Sequence, residues 1–123
     1  MDALRSFEEF WPYYVGAHRN PVCRGLHYLG TSLSLCAVAR GVLSGNPSWF
    51  LAAPVLGYGF AWIGHFFIER NRPATFDYFL WSLRGDLRML RLALSGRMAD
   101  EVIRLYGSRN PPADAPLRRS AKP

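Results

Sequence analysis

Between Gly25 and Ile68 the sequence carries one formally charged side chain, Arg40, and a single turn signal, SGNPS at 44–48, divides the stretch. Gly, Asn and Pro together interrupt a helix, so the stretch reads as two apolar helices folded into a hairpin. The second run, Trp49 to Ile68, has 20 residues, enough to cross a hydrocarbon core. The first runs from the Asn20-Pro21 step to about Val42, and Arg40 near its far end can snorkel. Charge is concentrated elsewhere: from Arg70 onwards there are eleven Arg/Lys and five Asp/Glu, and the whole chain has a net charge of +6. Arg interleaved with Trp, Phe and Leu beside charge-poor helices fits a bilayer surface better than nucleic acid, so membrane lipid is an expected partner and nucleic acid is not. Positive charges flank both outer ends of the hairpin, and the turn has none. By the positive-inside rule both termini then lie in the cytoplasm, with SGNPS outside.

The expectation is a small all-α integral membrane protein of a bacterial cytoplasmic membrane, a transmembrane helical hairpin with amphipathic interfacial helices. A soluble helical core is the alternative for the same runs. At 123 residues there is one domain at most. We place it at 1–107, with transmembrane helices about 22–43 and 49–69, an amphipathic helix about 76–94, and a disordered basic tail at 108–123. No secretory signal peptide is visible, since Asp2, Glu8 and Glu9 precede the apolar run. Ser6 to Glu9 is a capping box opening a short aromatic helix, which Pro12 should kink or end. In 76–94, Asp77, Arg84, Arg88 and Arg91 share one stripe, with Phe79, Leu80, Leu83, Leu87 and Leu90 largely opposite, the pattern of a helix on a membrane or capping a bundle. Cys23 and Cys36 fall on one helix about 20 Å apart, beyond disulfide reach.

The chain has three histidines, and two of them bracket HRNPVCRGLH at 18–27. On one continuous helix, nine steps of about 100° would set His18 and His27 on opposite faces. Asn is a preferred N-cap and Pro is favoured at the first helical position, so a new helix starts at this step. His18 is then left in the connection and free to fold over the helix start. Asn46 is the midpoint between His27 and His65, 19 residues from each, so an antiparallel pair sets them level. Small residues on the facing surfaces, Gly30, Thr31 and Ser34 against Gly57 and Gly64, let the backbones approach. If those faces pack within one chain they are not available for a homo-oligomer, which the sequence otherwise allows. All three histidines thus reach one place, with Glu69 four residues beyond His65. Three imidazoles and a carboxylate suit Fe(II) or Zn(II). Glu69 is a candidate ligand, or it pairs with Arg70, Arg72 or Arg24. Asp86 falls on the apolar side of its helix and is a candidate ligand, a partner orienting a histidine, or a salt-bridged anion.

The stretches YYVGAHRNPVCRGLHYLGTS and GYGFAWIGHFFIERNRPATF resemble the short bacterial branch of the family containing the fungal 2-hydroxy fatty acid dioxygenase, many members of which were long known only as a domain of unknown function. The likeness covers roughly 7–95: a Tyr-rich lead into His18, the Asn-Pro turn, His27 followed by Gly30, and Gly64-His65 with Glu69 and Pro73-Ala74. Cys23 stands where Asn is more usual. The resemblance implies metal-site and catalytic roles for His18, His27 and His65, with Fe(II) as the cofactor. It implies alpha-oxidation, in which a long-chain 2-hydroxy fatty acid and dioxygen give the acid one carbon shorter, carbon dioxide and water, a balance that needs no 2-oxoglutarate. Arg19, Arg24, Arg70 and Arg72 are candidates for attracting the substrate carboxylate at the membrane rim. A zinc hydrolase lacks an HExxH motif here, and a di-iron enzyme needs more ligands than three histidines provide. The rival from another class is a non-enzymatic membrane protein whose structural histidine or metal cluster accompanies binding of anionic lipid or a partner protein.

Overall fold

The computed structural model describes residues 3–118, which form five α-helices: α1 Phe7–Gly16, α2 Pro21–Ser44, α3 Ser48–Ile63, α4 Phe79–Leu94 and α5 Met98–Tyr106. A π-helical turn, Gly64–Glu69, prolongs α3, and a 3₁₀ turn, Ala74–Phe76, precedes α4. The breaks sit where local chemistry requires them. Asn20 Oδ1 accepts from the Val22 N–H at 2.8 Å with Pro21 behind it, so α2 starts at the Asn-Pro step. Gly45, at φ 69°, ends α2 in the left-handed conformation that costs glycine no steric penalty.

Helices α2 and α3 run antiparallel and touch through small residues. A Cβ on Gly30 would lie 3.1 Å from the carbonyl oxygens of Leu56 and Gly57, and one on Gly64 would lie 2.9 Å from Cys23 Sγ. Ser34 Oγ donates to the Ala53 carbonyl at 2.6 Å across the same seam. The glycine faces are therefore used within one chain.

The packed core lies outside the hairpin. Phe7, Phe10, Trp11, Tyr14 and Val15 of α1 pack with Met89 and Leu92 of α4 and Val102 and Leu105 of α5. The guanidinium of Arg84 sits 4.0 Å over the Phe7 ring and that of Arg88 4.5 Å over Trp11, closing the cluster with cation–π contacts. By contrast the hairpin leaves Leu35, Val42, Leu51, Val55, Ile63 and Phe67 exposed. Among the described residues one helical stretch, Ser48–Glu69, is long and apolar enough to cross a membrane, with 17% of its apolar window buried. The sequence pattern suggests two such helices. Helix α2 falls short because Arg24, Arg40 and the hydroxyls of Thr31, Ser32 and Ser34 dilute it.

Three expectations need correcting. Of the kink or end expected at Pro12, the end does not occur, since α1 continues to Gly16; the ring's fixed φ suits a helix, and the carbonyl that loses its partner belongs to the exposed Glu8. The amphipathic helix starts at Phe79 rather than 76, and its buried residues are Ser82, Gly85, Met89 and Leu92. Its Leu-rich face, including Leu80, Leu83 and Leu87, stays exposed. The segment expected as a disordered tail is held in irregular structure up to Arg118: Arg19 donates to the carbonyls of Pro112 and Ala115, and Arg118 to that of Leu105. Residues 119–123 of that segment lie outside the described residues.

Candidate metal centre

Three elements deliver the three imidazoles. His18 comes from the connection between α1 and α2, His27 from the second turn of α2, and His65 from the π turn. All are buried, at 1%, 4% and 2% exposure. One ligand nitrogen from each lies within 4.8 Å of the others, and His18 Nε2 is 3.0 Å from His27 Nε2. The π turn is a local widening that recurs at functional sites. Arg70, left-handed at φ 56°, terminates it.

The other ring nitrogens fix the tautomers. His18 Nδ1 lies 2.6 Å from the Tyr14 carbonyl and His27 Nδ1 2.8 Å from the Cys23 carbonyl. A carbonyl only accepts, so both Nδ1 atoms carry hydrogen. His65 Nδ1 lies 2.7 Å from Asn71 Oδ1, while Asn71 Nδ2 donates to the Ala17 carbonyl at 3.0 Å. The Ala17 carbonyl decides which end of the Asn71 amide is nitrogen, so the oxygen faces His65, and His65 Nδ1 also donates. All three Nε2 lone pairs are then left for the common centre.

Lone pairs 3.0 Å apart repel unless a cation lies between them. A proton is disfavoured, because burial, and then the facing His27 and His65 rings, push the His18 imidazolium well below the usual histidine range. Metal bonds of about 2.1 Å bring ligand atoms roughly 3 Å apart, the His18–His27 separation. The donor set therefore fits a metal ion, and the three-histidine group could hold one; imidazole suits iron and zinc alike.

Glu69 and Asp86 do not belong to the group whose ligand atoms converge. Glu69 accepts from the Asn20 N–H at 2.5 Å, at the start of α2. Asp86 borders the small space at the histidines, together with Tyr14 and Ser82, and accepts a short hydrogen bond from the Tyr14 hydroxyl. Burial pushes the Asp86 carboxyl up to about 7, with the Tyr14 bond acting the other way. The four arginines also separate. Arg24 gives its donors to the carbonyls of His18 and Arg19, and Arg19 donates to that of Gly16. Arg72 pairs with Asp77 at 3.4 Å, and Arg70 is exposed. Among the described residues no arginine lines either cavity that the histidines border.

Sequence reasoning missed Asn71, Tyr14 and Ser82. Asn71 acts on a histidine six residues back across a left-handed residue, a relation no helical period predicts. Tyr14 offered a faint signal, being four residues before His18 and so one turn away on α1.

A family model described as 2-hydroxy-palmitic acid dioxygenase Mpo1-like matches residues 4–98. The chain belongs to this Mpo1-like family, as the two quoted stretches suggest. Comparison with curated proteins and with solved structures found no match.

Proposed function

We propose that this member of the Mpo1-like family is an Fe(II)-dependent membrane dioxygenase that shortens long-chain 2-hydroxy fatty acids by one carbon with release of carbon dioxide. The observation that carries the reading is the convergence of three buried Nε2 lone pairs, each tautomer set by an acceptor behind it. His18, His27 and His65 would hold the metal. Iron bound there would supply the redox chemistry with dioxygen that no side chain of this chain offers.

The protein's own residues bind and orient. Asn71 keeps the His65 ring turned inward. Tyr14 keeps the Asp86 carboxylate directed along the edge of the centre, where it can hold or exchange a proton with a bound hydroxy acid. Arg70 and Arg72, at the end of the π turn, draw the carboxylate towards the rim. Arg19 and Arg24 serve the frame, since their donors are engaged by carbonyls. The hairpin sits in the bilayer with both termini on the cytoplasmic side, supported by its unburied apolar surface and by the cationic segments beyond its outer ends.

The test is oxygen uptake by iron-loaded protein in lipid nanodiscs, with 2-hydroxypalmitate and with palmitate as the control. One dioxygen consumed and one pentadecanoate formed per 2-hydroxypalmitate, with palmitate inert, is the expected result. Folded, iron-loaded protein that consumes no oxygen with any 2-hydroxy acid would overturn it and leave the non-enzymatic alternative.

A further inference from the structure

A groove of about 330 Å³ leads away from the histidines between the hairpin and α4, within the size range of ligand pockets. His27, Tyr58 and Asp86 line both this groove and the small space at the three histidines, so the two adjoin at these residues. The groove runs from His27 to Leu35 on α2 and from Ala61 back to Ala53 on α3, eight residue-to-residue steps along each helix and so about 12 Å long. It is a trough rather than a bowl. Its floor beyond the histidines is Ser34, Ala53 and Gly57, and the Ser34 hydroxyl is already engaged with the Ala53 carbonyl at 2.6 Å. Leu35, Pro54, Leu83 and Leu87 form an exposed apolar rim.

The other end of the space points to a polar ligand head. Ser82 Oγ is buried beside the histidines, its residue 2% exposed, and has no hydrogen-bond partner among the described residues. A buried hydroxyl left unpaired is costly, and an oxygen-bearing group at the histidines would satisfy it.

We propose that this groove takes the acyl chain of a single-chain amphiphile whose oxygenated head lies at Ser82 and the histidines, and that Ala53 at the far end sets how many carbons it holds. The head-group chemistry rests on the dioxygenase reading; the tail site rests on the groove itself. An extended chain advances about 1.2 Å per bond, so the trough holds about ten carbons. A longer chain emerges over Leu35, Pro54 and Leu87, on the exposed apolar side that faces lipid when the hairpin is in a bilayer. The substrate enters sideways from the membrane.

The experiment uses the full chain in nanodiscs and 2-hydroxypalmitate carrying a diazirine at carbon 10, followed by light and peptide mapping. The label should fall on Leu35, Ala53, Pro54 or Leu87, and excess 2-hydroxypalmitate should prevent it. Ala53→Leu should weaken that competition about fiftyfold, the loss of roughly three buried methylenes, and leave 2-hydroxyoctanoate unchanged. Should Ala53→Leu misfold, Leu87→Trp at the exposed rim narrows the same groove, with the same selective loss expected. Label on the outward residues Leu51 and Val55 without competition, or equal weakening of short and long acids, would overturn the proposal. Turnover read in parallel separates the two ideas. Label in the groove without oxygen uptake refutes the dioxygenase and keeps the groove, whereas uptake with label elsewhere refutes the groove alone.

Discussion

Asn71 is the one residue through which a side chain, rather than a main-chain carbonyl, sets a histidine tautomer, so it can be changed without rebuilding the backbone. Asn71→Ala removes the acceptor 2.7 Å from His65 Nδ1 and the donor 3.0 Å from the Ala17 carbonyl. Two hydrogen bonds at about 1 kcal/mol each give a stability loss near 2 kcal/mol. The effect on metal is separate. Loss of the partner behind a ligating histidine costs roughly 10–100-fold in affinity, because His65 no longer holds its Nε2 lone pair inward. Asn71→Asp splits the two roles: a carboxylate still accepts from His65 Nδ1, but its other oxygen then faces the Ala17 carbonyl. That variant should keep metal affinity close to wild type while losing stability. The assay is Co(II) titration followed by its visible absorption bands, beside thermal unfolding of the metal-free protein. Folded Asn71→Ala that binds Co(II) with wild-type affinity would refute the assignment of the His65 tautomer and its dependence on Asn71.

Other consequences follow from the same geometry. Gly64→Ala places a Cβ 2.9 Å from Cys23 Sγ, so it should destabilise by about 1–3 kcal/mol; Cys23→Ala in the same chain should restore most of that loss, read by a double-mutant cycle of unfolding free energies. Burial holds the folded Asp86 carboxyl at about 7, above the ordinary aspartate value of 3.8, so the stability linked to its protonated form is complete below about pH 4 and is lost as pH rises to 7. That contribution grows by up to about 1.4 kcal/mol per pH unit on acidification from pH 7 to 5, while the buried His18, held well below the usual histidine range, acts the other way below about pH 6.5. The Asp86 part is therefore read as the difference in thermal melts between metal-free wild type and Asp86→Asn, a difference that should change by that slope between pH 7 and 5. Trp11→Phe removes the indole donor 3.1 Å from Glu101 and should cost about 1–2 kcal/mol in chemical denaturation without changing metal affinity.

How much of this was legible beforehand depended on how local each determinant is. The start of α2 was readable because Asn20 and Pro21 act on their own backbone. The level placement of His27 and His65 was readable because both are counted from one turn, at Asn46, along helices that stay regular until the π turn that carries His65. Helix α4 shows the limit of amphipathicity: two faces were visible, but which one meets the core was not. The core takes Ser82 and Gly85 because Gly85 admits the Tyr14 ring, where a Cβ would sit 3.1 Å from it. The placing of Arg19 and Arg24 was invisible for another reason. They donate to carbonyls at Gly16, His18 and Pro112, and main-chain acceptors leave no mark on the sequence. The family, by contrast, was legible from the residues around the histidines themselves.

The claim on which the account rests is that His18, His27 and His65 together hold one metal ion. Elemental analysis of protein purified in mild detergent and loaded anaerobically with Fe(II) tests it, run beside His18→Ala, His27→Ala and His65→Ala, with circular dichroism to certify folding. The account predicts about one iron per wild-type chain and loss of the metal in each variant. Folded wild type that takes up no metal, or a folded histidine variant that keeps it in full, would contradict the account.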